Sequence, residues 1–483
     1  MPTRKIQSIK VLIGMEIHVQ LATASKMFTG AKNGFGGEPN SQVDEVILGL
    51  PGTLPVMNKK AVEYSIKVGL ALGCQIAQHT KWDRKSYYYP DLPKNYQISQ
   101  YDQPLCAEGY FDLQLTDTET KRIRIRRAHL EEDAGKLLHE APGGFAIDHS
   151  IVDLNRAGTP LLEIVTEPDL TTGAEVAAFG QELQRLVQYL GVSEAQMQMG
   201  HMRFEPNINV HITDENGVVH KTAIAEIKNL NSFSVLQRAT DYEIGRQMNH
   251  WMETGDLGRK STMGWDERTE TTFLQRDKEE AHDYRYFPDP DLMPVVVNDI
   301  WLTELKAQMP ELPAERRKRY AALVGLSEKD ITLLMAERAC GDVFDAIVIA
   351  DIEPKRACTL VEVIREVEGA IGLEPAKVAA VAVLARENKI AASKETAKAI
   401  LSRMLETGEA AETSASALGL IQSSDTGAID AAIDAAVAAN AKSVADYKAG
   451  KQAALGAIVG AVMKSQKGLN AKLVQQRLKE KLS

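Results

Sequence analysis

The sequence has 483 residues and a net charge of −10, with 44% hydrophobic and 25% charged residues, which excludes a mainly disordered chain and a general polycation. Its four cysteines are scattered without a CxxC pair, which excludes a disulfide scaffold and a thiolate zinc site and favours a reducing compartment. The longest apolar run, residues 453–463, is far shorter than the ~20 residues of a membrane span, and no leader is evident. We therefore expect a cytoplasmic protein with no membrane segment.

The first ~290 residues alternate between strand and helix patterns. Residues 11–21 have period two, with Met15 and Ile17 on one face and Glu16 and His18 on the other, which predicts a half-buried strand. Residues 122–133 and 202–212 have the same period. Residues 172–190 repeat apolar side chains at helical spacing after a capping-box pattern. One-sided strands with inserted helices predict an α+β domain with antiparallel pairing.

After Pro294 the pattern becomes helical, with an apolar stripe over residues 396–407 and a small, polar stretch over 408–425 that predicts a linker. The remainder is rich in alanine and helical in pattern. Residues 441–483 carry nine Lys or Arg against two acids, a net +7 that leaves −17 on the rest of the chain. This basic end is either an attractive patch for a polyanion or a solvated helical face, and composition does not choose between them.

Acidic and imidazole side chains recur on the predicted strands. Glu16 and His18 are two residues apart and point to the same face. Glu131 and Glu132 end a second strand, and Glu163 follows a Gly-Thr-Pro turn. Such groups suit a Mg²⁺ ion that bridges phosphate oxygens, although each is also explained as a solvent-facing strand residue. The sequence has no Walker motif, so any use of ATP would not rely on a phosphate loop.

Two loops combine tyrosines, prolines and a basic residue. Residues 84–102 contain Lys85, and residues 283–291 contain Arg285. They form either a rigid pocket rim or packed loops, and both interpretations remain open.

Six long motifs in order carry a family resemblance: IGMEIHVQL, RKSYYYPDLPKNYQISQYDQP, HLEEDAGK, DLNRAGTPLLEIVTEPD, EIKNLNSFSV and DYRYFPDPD. Together they resemble the GatB family, the B subunits of the aspartyl/glutamyl-tRNA(Asn/Gln) amidotransferase. The segment DYKAGKQAALGAIVGAVMKSQKG is similar to the YqeY-like C-terminal module of the same family. The resemblance covers essentially the whole chain.

The resemblance implies three domains: a kinase and transamidase cradle with a glutamine synthetase-like antiparallel sheet (1–295), a helical domain (296–410), and a YqeY-like helical tail that binds tRNA (411–483). It implies two partners, the amidase GatA and the small subunit GatC. It also implies that ATP and Mg²⁺ serve to phosphorylate the side-chain carboxylate of Glu or Asp mis-esterified to tRNA(Gln) or tRNA(Asn). Ammonia from GatA then displaces the phosphate. Positioning and charge neutralisation are what this chemistry needs from a protein.

The family's functional positions are carried over onto matching motifs. The catalytic and metal positions fall on Glu16, His18, Glu132 and Glu163, and strand phase leaves open whether Glu131 or Glu132 points inward. Lys85 and Arg285 are further catalytic candidates, and Lys85, Lys228 and Asn229 are candidates for cofactor binding. The tRNA-binding candidates of the tail are Lys448, Lys451, Lys464 and Lys467.

The sequence departs from the family at one expected site. Many members carry a CxC…CxxC zinc site after the first strand, where this chain has residues 29–31 (TGA) and 44–47 (DEVI). We therefore expect no zinc and a loop held by packing. The archaeal relative GatE is disfavoured because no domain is inserted near residues 290–300.

Two other functions are considered: a non-catalytic tRNA-binding scaffold, and a free-standing ligase for a small substrate. Converging acids disfavour the scaffold, and a basic helical tail disfavours the small-substrate ligase. The sequence does not say whether Glu-tRNA(Gln), Asp-tRNA(Asn) or both are substrates.

Overall fold

The computed structural model describes residues 4–116, 119–141, 143–277, 281–423, 425–449, 451–465 and 468–482. The chain divides into two compact units, Met1–Leu312 and Pro313–Ser483. The first holds the described strands and four α-helices, and the second is helical. The predicted α+β class with a helical C-terminal part is confirmed. The finer division into three domains stays a prediction.

The strands of the first unit vary from two to fifteen residues. In chain order they are β1 (Ile6–Gln20), β2 (Gln75–Ile76), β3 (His79–Thr80), β4 (Asp83–Ser86), β5 (Tyr96–Ser99), β6 (Cys106–Gln114), β7 (Thr120–Glu132), β8 (Lys136–Ala141), β9 (Phe145–Asp153), β10 (Pro160–Thr166), β11 (Met202–Asp214), β12 (Val219–Lys221), β13 (Ala225–Ile227), β14 (Ser261–Asp266), β15 (Thr271–Asp277), β16 (Phe287–Pro288) and β17 (Val295–Val296).

A large sheet forms the body of this unit. Its strand order is β15–β14–β13–β11–β1–β10–β7–β6–β2, and β12 also pairs with β11. The neighbours pair antiparallel except β13 and β14, which are parallel, so the predicted antiparallel arrangement holds for most of the sheet. The long strand β1 lies between β11 and β10 near the centre. Three small sheets lie apart from it: β16–β4–β5, β17–β3 and β8–β9.

Helices cover the apolar face of the large sheet. These are α1 (Lys59–Ala71), α2 (Gly173–Tyr189) and α3 (Phe233–Thr254), and α4 (Asp299–Ala307) packs at the edge of the same core. Ile13, Met15, Ile17 and Val19, the odd positions of β1, are buried in this core at 1% exposure or less. The even positions therefore point to the opposite face of the sheet.

Helix α2 shows why the sequence folds as it does locally. It begins after Thr172, whose hydroxyl accepts from the Glu175 backbone N–H at 3.1 Å. The capping box is only half formed, because the Glu175 carboxylate accepts instead from the backbone N–H of Thr171 at 2.7 Å. Phe179 and Leu183 lie on its buried side.

The second unit consists of short helices. They are α5 (Pro313–Ala321), α6 (Glu328–Leu334), α7 (Arg338–Ile349), α8 (Pro354–Arg365), α9 (Pro375–Arg386), α10 (Lys394–Thr407), α11 (Ala411–Ala417), α12 (Thr426–Ala439), α13 (Ala441–Lys448), α14 (Ala453–Ser465) and α15 (Ala471–Leu482). Helices α12, α14 and α15 share a core that contains Ile433, Ile458 and Leu478. None of the described helices is long and apolar enough to cross a membrane.

The linker predicted over residues 408–425 is partly wrong. Helix α11 lies within it, with Ala411 and Ala415 buried. Small residues resemble a linker in composition, but they also allow close helix packing, as α11 achieves against α9 and α10.

Candidate active site

Four neighbouring strands bring acidic and imidazole side chains onto the polar face of the large sheet. The register pairs Glu16 of β1 with Glu205 of β11, and His18 of β1 with Glu163 of β10. Glu163 in turn lies opposite His129 of β7. Because alternate residues of a strand share a face, cross-strand neighbours with these registers converge. We call this group, together with Glu131, the acid cluster; its members are Glu16, His18, His129, Glu131, Glu163 and Glu205.

The His18 imidazole lies among three carboxylates. Its Nε2 is 3.5 Å from Glu163 Oε2, 3.8 Å from Glu131 Oε1 and 3.9 Å from Glu16 Oε1. The second imidazole, that of His129, has its Nε2 3.6 Å from the same Glu163 oxygen. The Nδ1 atoms of both rings are buried without a hydrogen-bond partner among the described residues. Each ring therefore directs its Nε2 side toward the acids.

Burial and mutual charge set the protonation of the cluster. Burial lowers the pKa of His18, but Glu163 and Glu205 outweigh it and raise that pKa to about 9, so His18 is cationic at neutral pH. His129 has its pKa lowered to about 4, chiefly by burial, so this ring is neutral. Burial and the charges of Glu163 and Glu205 raise the pKa of Glu16 to about 7. Glu16 is thus the carboxyl group in the cluster that most readily exchanges a proton near neutrality.

The structure corrects one predicted site residue. Glu132 lies on the opposite face of β7 from the cluster, where its Oε1 accepts from the Ile98 backbone N–H at 2.9 Å and pairs with Lys94. Glu131 occupies the position assigned to Glu132, while Glu16, His18 and Glu163 lie where the sequence predicts. The reason is strand phase: His129 points into the cluster, so the residue two positions later does so as well.

One acid of the cluster is missed by the sequence interpretation. Glu205 lies in the period-two segment 202–212, on the same strand face as Arg203 and Asn207. The sequence signal that could have identified Glu205 is the polar residue at every second position of this segment, between residues that are buried. Burial raises the pKa of Glu205, but Lys228 and His18 outweigh it and lower that pKa to about 2, so this carboxylate is ionised.

The predicted basic residues differ in placement. Lys228 directs its Nζ to Glu205 Oε2 at 2.6 Å and Glu226 Oε1 at 3.5 Å. Lys85 of β4 lies over the Tyr284 ring, with Nζ 4.6 Å from the centroid. Burial lowers the pKa of Lys85, but Glu131 and Glu163 outweigh it and raise that pKa, which places Lys85 in the field of the cluster.

Two of the predicted residues are exposed. Asn229 follows β13 with a left-handed backbone, φ 63°, and Arg285 also has a left-handed backbone, φ 49°. Both are more exposed than Lys85 and Lys228, which are half-buried. Their predicted roles in catalysis and cofactor binding stay predictions.

The donor set of the cluster fits a hard divalent cation. Two overlapping groups, Glu16–His18–Glu205 and His18–Glu131–Glu163, each have ligand atoms within 4.8 Å of one another. Carboxylate oxygens dominate both groups, which suits Mg²⁺ better than a thiolate-seeking metal. His18 is cationic in this arrangement, so it would have to lose its proton before its Nε2 could bind a metal.

The predicted tRNA-binding lysines lie in the second unit. Lys448 ends α13 and Lys464 lies in the last turn of α14, and both are exposed. Lys451 is exposed and its Nζ lies 2.9 Å from Asp446 Oδ1. Lys467 lies outside the described residues.

Residues 11–303 match the GatB/GatE catalytic domain, which spans more than half of the chain and contains every member of the acid cluster. The chain belongs to the GatB/GatE family. Residues 342–482 match a second family, the GatB domain. The family predicted from the motifs is therefore confirmed.

Similar chains in other organisms carry the name of one component of a tRNA amidotransferase. The B subunit of the aspartyl/glutamyl-tRNA(Asn/Gln) amidotransferase of Thermosynechococcus vestitus is 45% identical over 435 residues, which cover 87% of this chain and 86% of that protein. The protein of the same name from Thermodesulfovibrio yellowstonii is 44% identical over 428 residues, covering 87% and 88%. The chain thus groups with the B subunits of a tRNA amidotransferase that has more than one subunit.

Proposed function

We propose that this chain is the ATP-dependent catalytic B subunit of an aspartyl/glutamyl-tRNA(Asn/Gln) amidotransferase. The side-chain carboxylate of mis-esterified Glu or Asp attacks the γ-phosphorus of ATP, giving an acyl phosphate and ADP. Ammonia then attacks the acyl carbon, the C–O bond to phosphate breaks, and the products are the amide and inorganic phosphate. A carboxylate is a poor electrophile, so phosphorylation supplies the leaving group that amidation needs.

The acid cluster is the observation that supports this proposal. Four carboxylates and a cationic imidazole converge on one sheet face, in two overlapping groups whose ligand atoms lie within 4.8 Å of one another. A scaffold that only presents tRNA has no use for so costly an arrangement, because buried like charges raise each other's pKa and oppose folding. Phosphoryl transfer does need such groups to position and neutralise charge.

Glu16, Glu131, Glu163 and His18 are the residues that would hold Mg²⁺, with Glu205 next to Glu16. When bound, Mg²⁺ neutralises charge on phosphate oxygens and orients them. Burial raises the pKa of Glu163, but the positive charges of His18 and Arg127 help to hold that pKa well below its usual range, so this carboxylate stays ionised. His129 stays neutral and orients that carboxylate. Lys85 and Lys228 place positive charge at two edges of the cluster.

The partners follow from the same proposal. GatA would supply ammonia and GatC would complete the complex, since the relatives are named as one subunit of an enzyme. Mischarged tRNA(Gln) or tRNA(Asn) would be the substrate, with lysines of α13 and α14 as phosphate contacts. The cytoplasm is the proposed location.

The test is made on the chain co-purified with its partner subunits. We expect ATP-dependent conversion of Glu-tRNA(Gln), Asp-tRNA(Asn) or both to the amide, with ammonium chloride replacing glutamine when the amidase is inactivated. Glu163→Gln should lower kcat by at least ~10²-fold, since ionised groups that stabilise transferring charge have effects of that size. Glu167→Gln is the matched control, because Glu167 is paired with Arg126 outside the cluster.

Three results would contradict the proposal. Amide formation that proceeds without ATP would exclude the phosphorylation step. Full activity in Glu163→Gln would support the scaffold, with catalysis located elsewhere in the complex. Glutamine hydrolysis by this chain alone would contradict the division of labour between the subunits.

A further inference from the structure

We propose that Arg203, held in place by Asp133, binds the side-chain carboxylate of the aminoacyl substrate. This inference rests on the proposed function and names how the same site recognises its substrate. Arg203 lies on β11 directly opposite His18 of β1, so its side chain borders the acid cluster. It is therefore on the sheet face where the phosphorylated carboxylate has to be placed.

Asp133 fixes one corner of the guanidinium. Arg203 Nη2 donates to Asp133 Oδ2 at 2.9 Å, and the same oxygen accepts from Gln20 Nε2 at 2.8 Å. The Asp133 side chain is only 4% exposed, and its second oxygen accepts from the backbone N–H of Ala134 at 3.0 Å. Arg156 Nε also lies 3.6 Å from Asp133 Oδ2, so two arginines face this carboxylate.

The rest of the guanidinium has spare hydrogen-bonding capacity. Among the described residues, the bond from Nη2 to Asp133 is the one hydrogen bond that this guanidinium makes, and 32% of the side chain is exposed. Among the residues that the structure describes, Asp133 is the one whose carboxylate lies within salt-bridge distance of the Arg203 guanidinium. An arginine fixed at one corner and open elsewhere is suited to a planar oxyanion, which it recognises with two parallel hydrogen bonds.

Two other cations of the site, Lys228 and Arg127, already contact acids of the site. Lys228 pairs with Glu205 and Glu226, and Arg127 Nη2 lies 3.7 Å from Glu163 Oε1 while its Nη1 donates to the Tyr101 carbonyl. Arg203 differs because its partner, Asp133, lies outside the acid cluster. Its charge therefore helps to offset repulsion between an incoming carboxylate and the glutamates.

Charge also favours a carboxylate over the phosphates of ATP as the ligand. Asp133 is shared by Arg203 and Arg156, whose Nε lies 3.6 Å from Asp133 Oδ2, so the three groups together carry one net positive charge. A singly charged, planar carboxylate matches one guanidinium edge. The triphosphate carries several negative charges, which Mg²⁺ held by the acids, together with Lys85, would neutralise.

Equilibrium binding without ATP tests the inference separately from catalysis. The probes are Glu-tRNA(Gln) against Gln-tRNA(Gln), and Asp-tRNA(Asn) against Asn-tRNA(Asn), which differ only in carboxylate versus amide. We expect the wild-type complex to prefer the carboxylate member of at least one pair by roughly tenfold, as for one charge-assisted contact. Arg203→Ala should abolish this preference and leave the affinity for the amide member within about twofold.

Further variants separate recognition from folding. Arg203→Lys keeps the positive charge but loses the planar guanidinium that can donate two parallel hydrogen bonds. It should therefore lose more than half of the preference for the carboxylate-bearing aminoacyl-tRNA. Asp133→Asn should reduce the preference because the guanidinium is no longer held. Guanidinium at low millimolar concentration, against matched sodium chloride, should partly restore it in Arg203→Ala. Arg122→Ala is the control, because Arg122 lies on exposed β7 surface paired with Asp112.

The inference would be overturned if the wild-type complex did not prefer the carboxylate-bearing aminoacyl-tRNA, or if Arg203→Ala left that preference unchanged. If the alanine variant does not fold, an unchanged preference in Arg203→Lys would overturn it. A fall in ATP affinity with the preference intact would assign Arg203 to ATP and also overturn it. If no amide forms in the presence of ATP but the binding preference is observed, the proposed function would be wrong while the contact between Arg203 and the carboxylate would still be supported.

Discussion

The two adjacent glutamates at the end of β7 lie on opposite faces of the strand. Glu131 lies in the acid cluster, 3.8 Å from His18 Nε2, and Glu132 pairs with the buried Lys94 on the other face of the strand. The two side chains are 5% and 3% exposed, so burial alone does not distinguish them. Strand phase does, because it turns Glu131 toward the acid cluster and Glu132 toward Lys94.

Substitution of these neighbours should separate activity from stability. We expect Glu131→Gln to lower kcat of amide formation by at least ~10²-fold with little change in Tm. Glu132→Gln should instead destabilise the chain by about 3–5 kcal/mol, because it leaves Lys94 buried and unpaired. Thermal unfolding and steady-state kinetics of both variants decide this. Loss of activity in Glu132→Gln at unchanged Tm would return the metal position to Glu132.

Lys26 is a fully buried lysine in the loop that follows β1. Its Nζ donates to the carbonyls of Asn155 and Ala157, and Thr29 hydrogen-bonds to Asp44 nearby in the same loop. Hydrogen bonds thus join residues 26–29 to the turn before β10, in addition to the packing that the sequence predicts. Burial lowers the pKa of Lys26 to about 8.

This shift predicts a pH-dependent stability. Between pH 8 and pH 10.5 the folded state has lost the Lys26 proton while the unfolded state keeps it, so the free energy of unfolding rises with pH in this window. The gain is at most about 3 kcal/mol. Denaturant unfolding of wild type and Lys26→Met, from pH 7 to pH 10.5, should show the difference between them growing with pH. A constant difference would mean that Lys26 titrates normally.

At the scale of single elements, the sequence predicts those features that local pattern determines. The alternation over 11–21 coincides with β1 up to its end at Gln20, and the cap at Thr172 gives the start of α2. The sequence does not predict which residues at the end of β7 face the cluster, because residues 131–133 are all acidic and show no alternation of polar and apolar side chains. The pairing of β7 with β10, in which Glu132 lies opposite Pro160, fixes the phase, and that is a long-range contact. Helix α11 was missed for the same kind of reason, since burial of Ala411 and Ala415 depends on neighbouring helices.

The N-cap of α2 gives a prediction at this scale. Thr172→Ala removes the acceptor for the Glu175 N–H and should lower the free energy of unfolding by about 1 kcal/mol. Thr172→Ser and Thr172→Asp keep an acceptor and should stay near wild type. Thr359→Ala is the matched control, because its exposed hydroxyl donates to the Lys355 carbonyl within α8 and caps no N-terminus. Equal losses for the alanine and serine variants would exclude capping as the cause.

For the whole molecule, the structure redistributes the charge that the sequence assigns to the tail. Arg477 pairs with Asp430 at 2.5–2.6 Å, and Lys481 pairs with Asp434, so two cations of α15 are neutralised by acids of α12. The net +7 counted over 441–483 therefore overstates the local attraction. The tail core is also hydrogen-bonded to the preceding helices, since Asn470 Nδ2 donates to the Asn388 carbonyl at 3.1 Å. Deleting the tail would disturb both parts, so single charges are the better test.

Lys448 and Lys464 are exposed and have no ion pair within the described part of the tail, which leaves them available to tRNA phosphates. We expect Lys448→Gln/Lys464→Gln to weaken aminoacyl-tRNA binding and to reduce the slope of log affinity against log salt by up to about 2, one per lost phosphate contact. Lys377→Gln/Lys398→Gln changes the charge of the same unit equally, but those lysines pair with Glu374 and Glu366. Affinities measured at several salt concentrations separate a specific contact from a general charge effect. If both double variants lower the slope equally, the tail lysines serve only net charge; if neither does, they keep an alanine-rich bundle in solution, and the tRNA contact lies elsewhere.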